Sequence, residues 1–81
     1  MSMKNEDDIL AAIEKVLELS SGSLGLNDTA DKFESWDSMG HLGILVALDK
    51  LFDGQVASIA EIAEANSASK IIAALRKHNL L

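Results

Sequence analysis

The sequence predicts an all-α fold, a small four-helix bundle with three longer helices and one short third helix. Three observations carry this. Apolar residues recur at helical spacing in three separate stretches. Each of those stretches opens on a favoured capping residue, Asn5, Asp37 or Ser67. No alternating run competes as a strand, because Val56 and its neighbours are too short a segment. At 81 residues the chain is read as one domain, 1–81.

In the first helix Ile9, Leu10, Ile13, Val16 and Leu17 form the apolar stripe. Asn5 caps it, and Glu6, Asp7 and Asp8 bring carboxylates to the positive end of its dipole. The Ser20-Ser21-Gly22-Ser23 cluster predicts its end near Leu19. A polar loop follows to Trp36, with Leu24, Leu26, Phe33 and Trp36 as the side chains expected to pin it to the bundle. The second helix is expected from Ser38 to Phe52. Leu42, Ile44, Leu45, Val46, Leu48 and Leu51 make it apolar over a wide arc, and Asp53-Gly54 stops it. A short helix is expected from Ser58 to about Ala65. Ser67 then caps a last helix through Ile71, Ile72 and Leu75, which ends on Arg76, Lys77 and His78, cations suited to a helix C-terminus.

Composition excludes several function classes. The hydrophobic fraction of 48% argues for a folded chain. With no cysteine, neither disulfides nor thiolate metal sites hold the fold, which fits the cytoplasm. No apolar run reaches the ~18–20 residues that span a bilayer. The start, Met-Ser-Met-Lys-Asn-Glu-Asp-Asp, lacks the character of a secretion signal. The formal net charge is −6, and Lys4, Lys15, Lys32, Lys50, Lys70, Arg76 and Lys77 are scattered, so nucleic acid is not an expected partner. Met1, Met3 and Met39 make no metal set, and the calcium-loop spacing is missing.

Chemistry concentrates in Asp37-Ser38-Met39-Gly40-His41. One reading is a helix start, with Asp37 as N-cap for the backbone N–H of Met39 or Gly40. It leaves Gly40 and Gly43 unexplained, since each glycine costs about 0.8–1 kcal/mol relative to alanine inside a helix. A smooth outer face that another molecule can approach closely would account for them. A second reading is a nucleophile and base, Ser38 and His41 at i, i+3, with Asp37 as orienting acid. It lacks an oxyanion hole, a walled pocket and the G-x-S-x-G pattern. A third is attachment: Ser38 on the first turn, its hydroxyl toward solvent, where a phosphodiester would meet the N–H groups and dipole of a helix N-terminus.

Asp37-Ser38-Met39 followed by the apolar helix from Leu42 to Phe52 resembles the acyl carrier protein family, whose motif is Asp-Ser-Leu at the start of the second helix. The resemblance covers nearly the whole chain, including the acidic first helix, the long loop, the Phe-Asp-Gly end of the second helix, the short third helix and the serine-capped fourth. It implies that Ser38 carries 4′-phosphopantetheine, taken from coenzyme A, whose thiol holds an acyl group as a thioester. It implies no catalysis by the chain itself. The implied partners are a phosphopantetheinyl transferase, an acyl- or aminoacyl-loading ligase and a downstream transferase or synthase. A cytoplasmic monomer is expected, with Asp37 and Met39 read by the modifying enzyme.

The chain departs from the fatty acid synthesis carriers, which show several acids on the exposed face of the second helix. Here the corresponding positions are expected to be Gly40, Gly43, Val46, Ala47 and Lys50, leaving only Asp37 and Asp49 acidic. The other acids lie in the first helix (Glu6, Asp7, Asp8, Glu14, Glu18), the loop (Asp28, Asp31, Glu34) and the third helix (Glu61, Glu64). Partners are therefore expected to dock on small and apolar contacts. Trp36-Asp37-Ser38-Met39-Gly40-His41 resembles a variant found in specialised carriers of secondary metabolites, surface polysaccharides or aminoacyl transfer, and Asp-Ser-Met resembles D-alanyl carriers. Trp36 is expected to anchor the loop, and His41 to lie on the docking surface. The reading outside the carrier class is an acidic helical interaction module without a cofactor.

Overall fold

Helix α1 (Glu6–Leu17) starts where Asn5 and Asp8 close a reciprocal capping box, each side chain accepting the other's backbone N–H at 3.0 Å. The computed structural model describes residues 5–81, so the expectations for Met1, Met3 and Lys4 lie outside the described residues. α1 ends two residues before the expected Leu19. Glu18 takes the left-handed conformation (φ 59°), and the Leu19 N–H returns to the Glu14 carbonyl at 2.8 Å, a Schellman-type closure.

The connection to α2 (Ser38–Leu51) contains one 3₁₀ turn, Ala30–Lys32, which the sequence reading did not anticipate. Three fastenings hold the connection. The Leu24 N–H donates to the Glu14 carboxylate at 3.0 Å. The N–H groups of Ala30 and Ser69 donate to the carbonyls of Asn66 and Leu26, at 2.7 and 3.1 Å, across an isolated bridge between Thr29 and Ser67. Trp36 is buried and bonded to His41. Leu24 and Trp36 therefore pin the loop as expected, Phe33 is half-buried, and Leu26 is exposed. Leu26 contributes its backbone carbonyl, not its side chain.

Helix α3 (Ala60–Ala63) is shorter than the expected span from Ser58 to about Ala65, and Ile59 is the residue before it. α4 (Ala68–Lys77) begins at Ser67, whose hydroxyl accepts the Lys70 N–H. Among the described residues the structure is all-α, four helices with no strand. Ile9, Ile13 and Leu17 of α1 meet Ile44 and Leu48 of α2, Ile62 of α3, and Ile71 and Leu75 of α4 in one core. Each such side chain contributes about 1.5–3 kcal/mol when fully buried. Ion pairs add outer ties: Arg76 with Glu6 joins α4 to α1, and Lys77 with Glu61, at 2.6 Å, joins α4 to α3.

The wide apolar arc expected of α2 is only partly used inside. Ile44 and Leu48 are buried, whereas Leu42 and Val46 face outward. The two helix glycines are not on a smooth outer face either. A Cβ at Gly40 would lie 2.0 Å from the Ser35 carbonyl oxygen and 3.0 Å from Leu17 Cδ2. One at Gly43 would lie 2.9 Å from Val16 Cγ1. Gly40, Gly43 and Ala47 are half-buried, and both glycines admit the chain's own α1 and loop instead of a second molecule.

Gly40→Ala is expected to lower stability by about 2–3 kcal/mol, because the methyl group meets backbone and overpacking outweighs the better helix propensity. Gly43→Ala meets only the end of a valine side chain and should fall within about 1 kcal/mol of the parent. Urea unfolding of the two variants checks the contrast.

Glu61 is held down to about 2 by hydrogen bonds from Lys77 and then His78. A carboxylate depressed by folding adds stability above its unfolded value, and that stability is lost as pH falls through the folded one. Thermal melts should therefore show Glu61→Gln flattening the loss of stability between about 4.5 and about 2.

Candidate functional site

The site is built at the N-terminus of α2. Asp37 is extended (φ −104°, ψ −165°), and its Oδ1 accepts the Gly40 N–H at 2.9 Å, while its carbonyl accepts the His41 N–H at 2.8 Å. Asp37 is thus the N-cap. Ser38 is the first helical residue, exposed, and no hydrogen bond of the described structure engages its hydroxyl. The N–H groups of Ser38 and Met39 point out of the helix end, where the dipole favours an anion.

His41 is half-buried, contrary to its expected place on a docking surface. Trp36 Nε1–H donates to its Nδ1 at 3.0 Å, and its Nε2 lies 2.9 Å from the Ile62 carbonyl. A nitrogen that accepts carries no proton, so the neutral ring bears its hydrogen on Nε2 and donates it to Ile62. The rings of Trp36 and His41 lie near-parallel with centroids 6.2 Å apart. Both ring nitrogens are thereby committed to holding the loop and α3 onto α2. Neither is directed to Ser38, and the spacing that suggested a Ser-His pair reflects this bridge.

Asp49, with Asp37 one of the two acids of this stretch, is half-buried. Its Oδ1 accepts the N–H groups of Val56 and Ala57, at 3.1 and 3.0 Å, and closes the connection after α2. Glu14 is likewise inside, not on the surface. Neither role was legible from composition. The signal for Asp49 was its position just before a helix stop, where a carboxylate can gather free N–H groups of the next turn.

The outer face of α2 presents Met39, Leu42 and Val46, 77%, 55% and 49% exposed. They account for three of the four large exposed apolar side chains among the described residues, the other being Leu26. Their i, i+3, i+7 spacing makes one stripe beginning beside Ser38. Lys50 lies exposed at its far end. On the other flank of Ser38 an open groove of about 500 Å³ runs between Trp36, His41, Leu42, Leu45 and Ala63. Among the described residues no group of three or more His, Cys, Asp or Glu side chains is suited to a metal ion, and no helix is long and apolar enough to cross a membrane.

No family model, curated protein or solved structure matches the chain.

His41→Phe keeps an aromatic ring, a somewhat larger one, but strands the Trp36 N–H and the Ile62 carbonyl. A loss of about 2–3 kcal/mol is expected, since each buried polar group left unpaired costs about 1–3 kcal/mol. The sequence holds one tryptophan, so its emission should change in the native state of this variant and can be followed directly.

Proposed function

We propose that the chain is an acyl carrier protein that bears 4′-phosphopantetheine on Ser38 and carries acyl or aminoacyl groups as thioesters. The observation that carries this reading is the Ser38 hydroxyl, exposed and unengaged on the first turn of α2, immediately after a carboxylate already committed as the cap. The residues fit the group. A phosphodiester on Ser38 Oγ would meet the open N–H groups and positive end of a 14-residue helix. Asp37 keeps its charge beside the group, but its Oδ1 is turned to the Gly40 N–H, and the open N–H groups of the first turn face the anion.

Bound there, the group supplies the thiol on which the cargo rides. The chain's own residues orient and present it. Asp37 fixes where the helix begins, and Gly40 lets that beginning pack against the loop. Trp36 and His41 keep the groove beside Ser38 in shape, and its apolar wall of Leu42, Leu45 and Ala63 suits the arm or a short cargo. The engagement of both His41 nitrogens supports a protein that transports and does not catalyse. Tethering raises the effective concentration of cargo at each successive enzyme.

The partners on this reading are a phosphopantetheinyl transferase, a loading ligase and a downstream transferase or synthase, met by a cytoplasmic monomer. A specialised lipid, polysaccharide, secondary-metabolite or D-alanyl-type pathway is favoured over housekeeping fatty acid synthesis. With Asp49 turned inward and Asp37 used as a cap, α2 shows no acidic stripe.

Co-expression with a promiscuous phosphopantetheinyl transferase, followed by intact mass measurement, tests the proposal. One phosphopantetheine addition is expected, lost in Ser38→Ala without loss of helix content. An unmodified chain would leave a cofactor-free interaction module, and ester hydrolysis abolished by His41→Ala would point to an enzyme.

A further inference from the structure

A second groove, of about 450 Å³, lies between α1 and α2, floored by Ala12, Val16, Val46 and Leu51 and flanked by Lys15 and Lys50. No carboxylate lines it. Lys32, Arg76 and Lys77 are paired with Asp28, Glu6 and Glu61, whereas Lys15 and Lys50 make no ion pair among the described residues. Lys70, also unpaired, lies instead in a cleft that Glu61 and Glu64 share. A chain of net charge −6 thus leaves two cations without an acid across one apolar groove. Val46 belongs both to this groove and to the stripe that starts at Met39.

We infer that this face docks a partner protein whose apolar contact is rimmed by carboxylates. The stripe of Met39, Leu42 and Val46 supplies the buried centre, and Lys15 and Lys50 supply the charges that orient the partner. From Ser38 to Lys50 the helix extends roughly 18 Å, the footprint of a small, transient interface. Complementary charge at the rim sets the encounter rate and rejects partners with basic rims, which here meet two lysines. An anionic membrane is a poorer fit, because two lysines fall short of the ~4–8 that hold a basic segment to lipid. Nucleic acid fails for the same want of cations. That the partner is an enzyme of carrier chemistry rests on the reading of Ser38; the binding face itself does not.

The test uses the Ser38→Ala chain, so that its outcome is independent of modification. The labelled protein is titrated by NMR with two synthetic amphipathic helices, both with a leucine stripe, one flanked by glutamates and the other by lysines. The expected result is binding about fivefold tighter for the glutamate peptide at low salt. Shift changes should centre on Met39, Leu42, Val46 and Lys50. The preference should be reversed in Lys15→Glu/Lys50→Glu, whose circular dichroism is unchanged. Equal affinity for the two peptides, shifts confined to other surfaces, or no binding of the glutamate peptide overturns the inference. So does tighter association with phosphatidylserine vesicles, or self-association that covers Met39, Leu42 and Val46.

Discussion

At Gly40 the backbone of α2 lies directly against the Ser35 carbonyl and the Leu17 side chain, so the loop, α1 and the start of α2 share one contact. That contact sets where the helix begins. The Asp37 carboxylate then takes the Gly40 N–H and closes the end. With both in place, Ser38 must be the first helical residue, and its side chain must face outward from the junction. A larger residue at position 40 would displace the loop, and with it Trp36, whose bond to His41 is the next tie along the same face. The exposure of one hydroxyl thus depends on the missing side chain two residues later.

The polar groups divide sharply between scaffold and surface. Glu14, His41 and Asp49 are hydrogen-bonded to Leu24, to Trp36 and Ile62, and to Val56 and Ala57. Each gathers main-chain or indole groups that secondary structure leaves without a partner. These three residues hold the connections of the bundle, and this spends acids that a simple tally would assign to the outside. The face of α2 near Ser38 is left apolar and, at Lys50, positive.

The helical class and the start and end of α2 were legible because apolar periodicity and caps are local signals: Asn5, Asp37 and Ser67 all cap as their positions suggest. The orientation of α2 was not legible. Its apolar residues surround the axis, so periodicity alone could not choose between an inward Leu42 and the observed outward one; contacts from α1 and α3 decide that. The roles of Gly40 and His41 were misjudged for a related reason. Their meaning lies in Ser35, Leu17, Trp36 and Ile62, partners supplied by tertiary packing. The short third helix was overextended because its sequence is compatible with helix beyond Ala63, while the Thr29–Ser67 bridge nearby demands extended backbone. Trp36 as an anchor was legible, since an indole in a polar loop has few other uses.

The bond from Leu24 to Glu14 also bears on how the chain finds this structure. It joins residues only ten apart, within reach of α1 and the start of the loop alone. The span from α1 to α2 is thereby divided into two shorter closures, and because closure entropy grows with the logarithm of length, the first can form early at little cost. The bond from Trp36 to His41, five residues apart, ties the last part of the connection to the head of α2. Local contacts of this kind favour rapid folding. A buried carboxylate near the end of α1 thus shortens the free span of a long polar connection, so that less of it must be ordered by the meeting of the four helices.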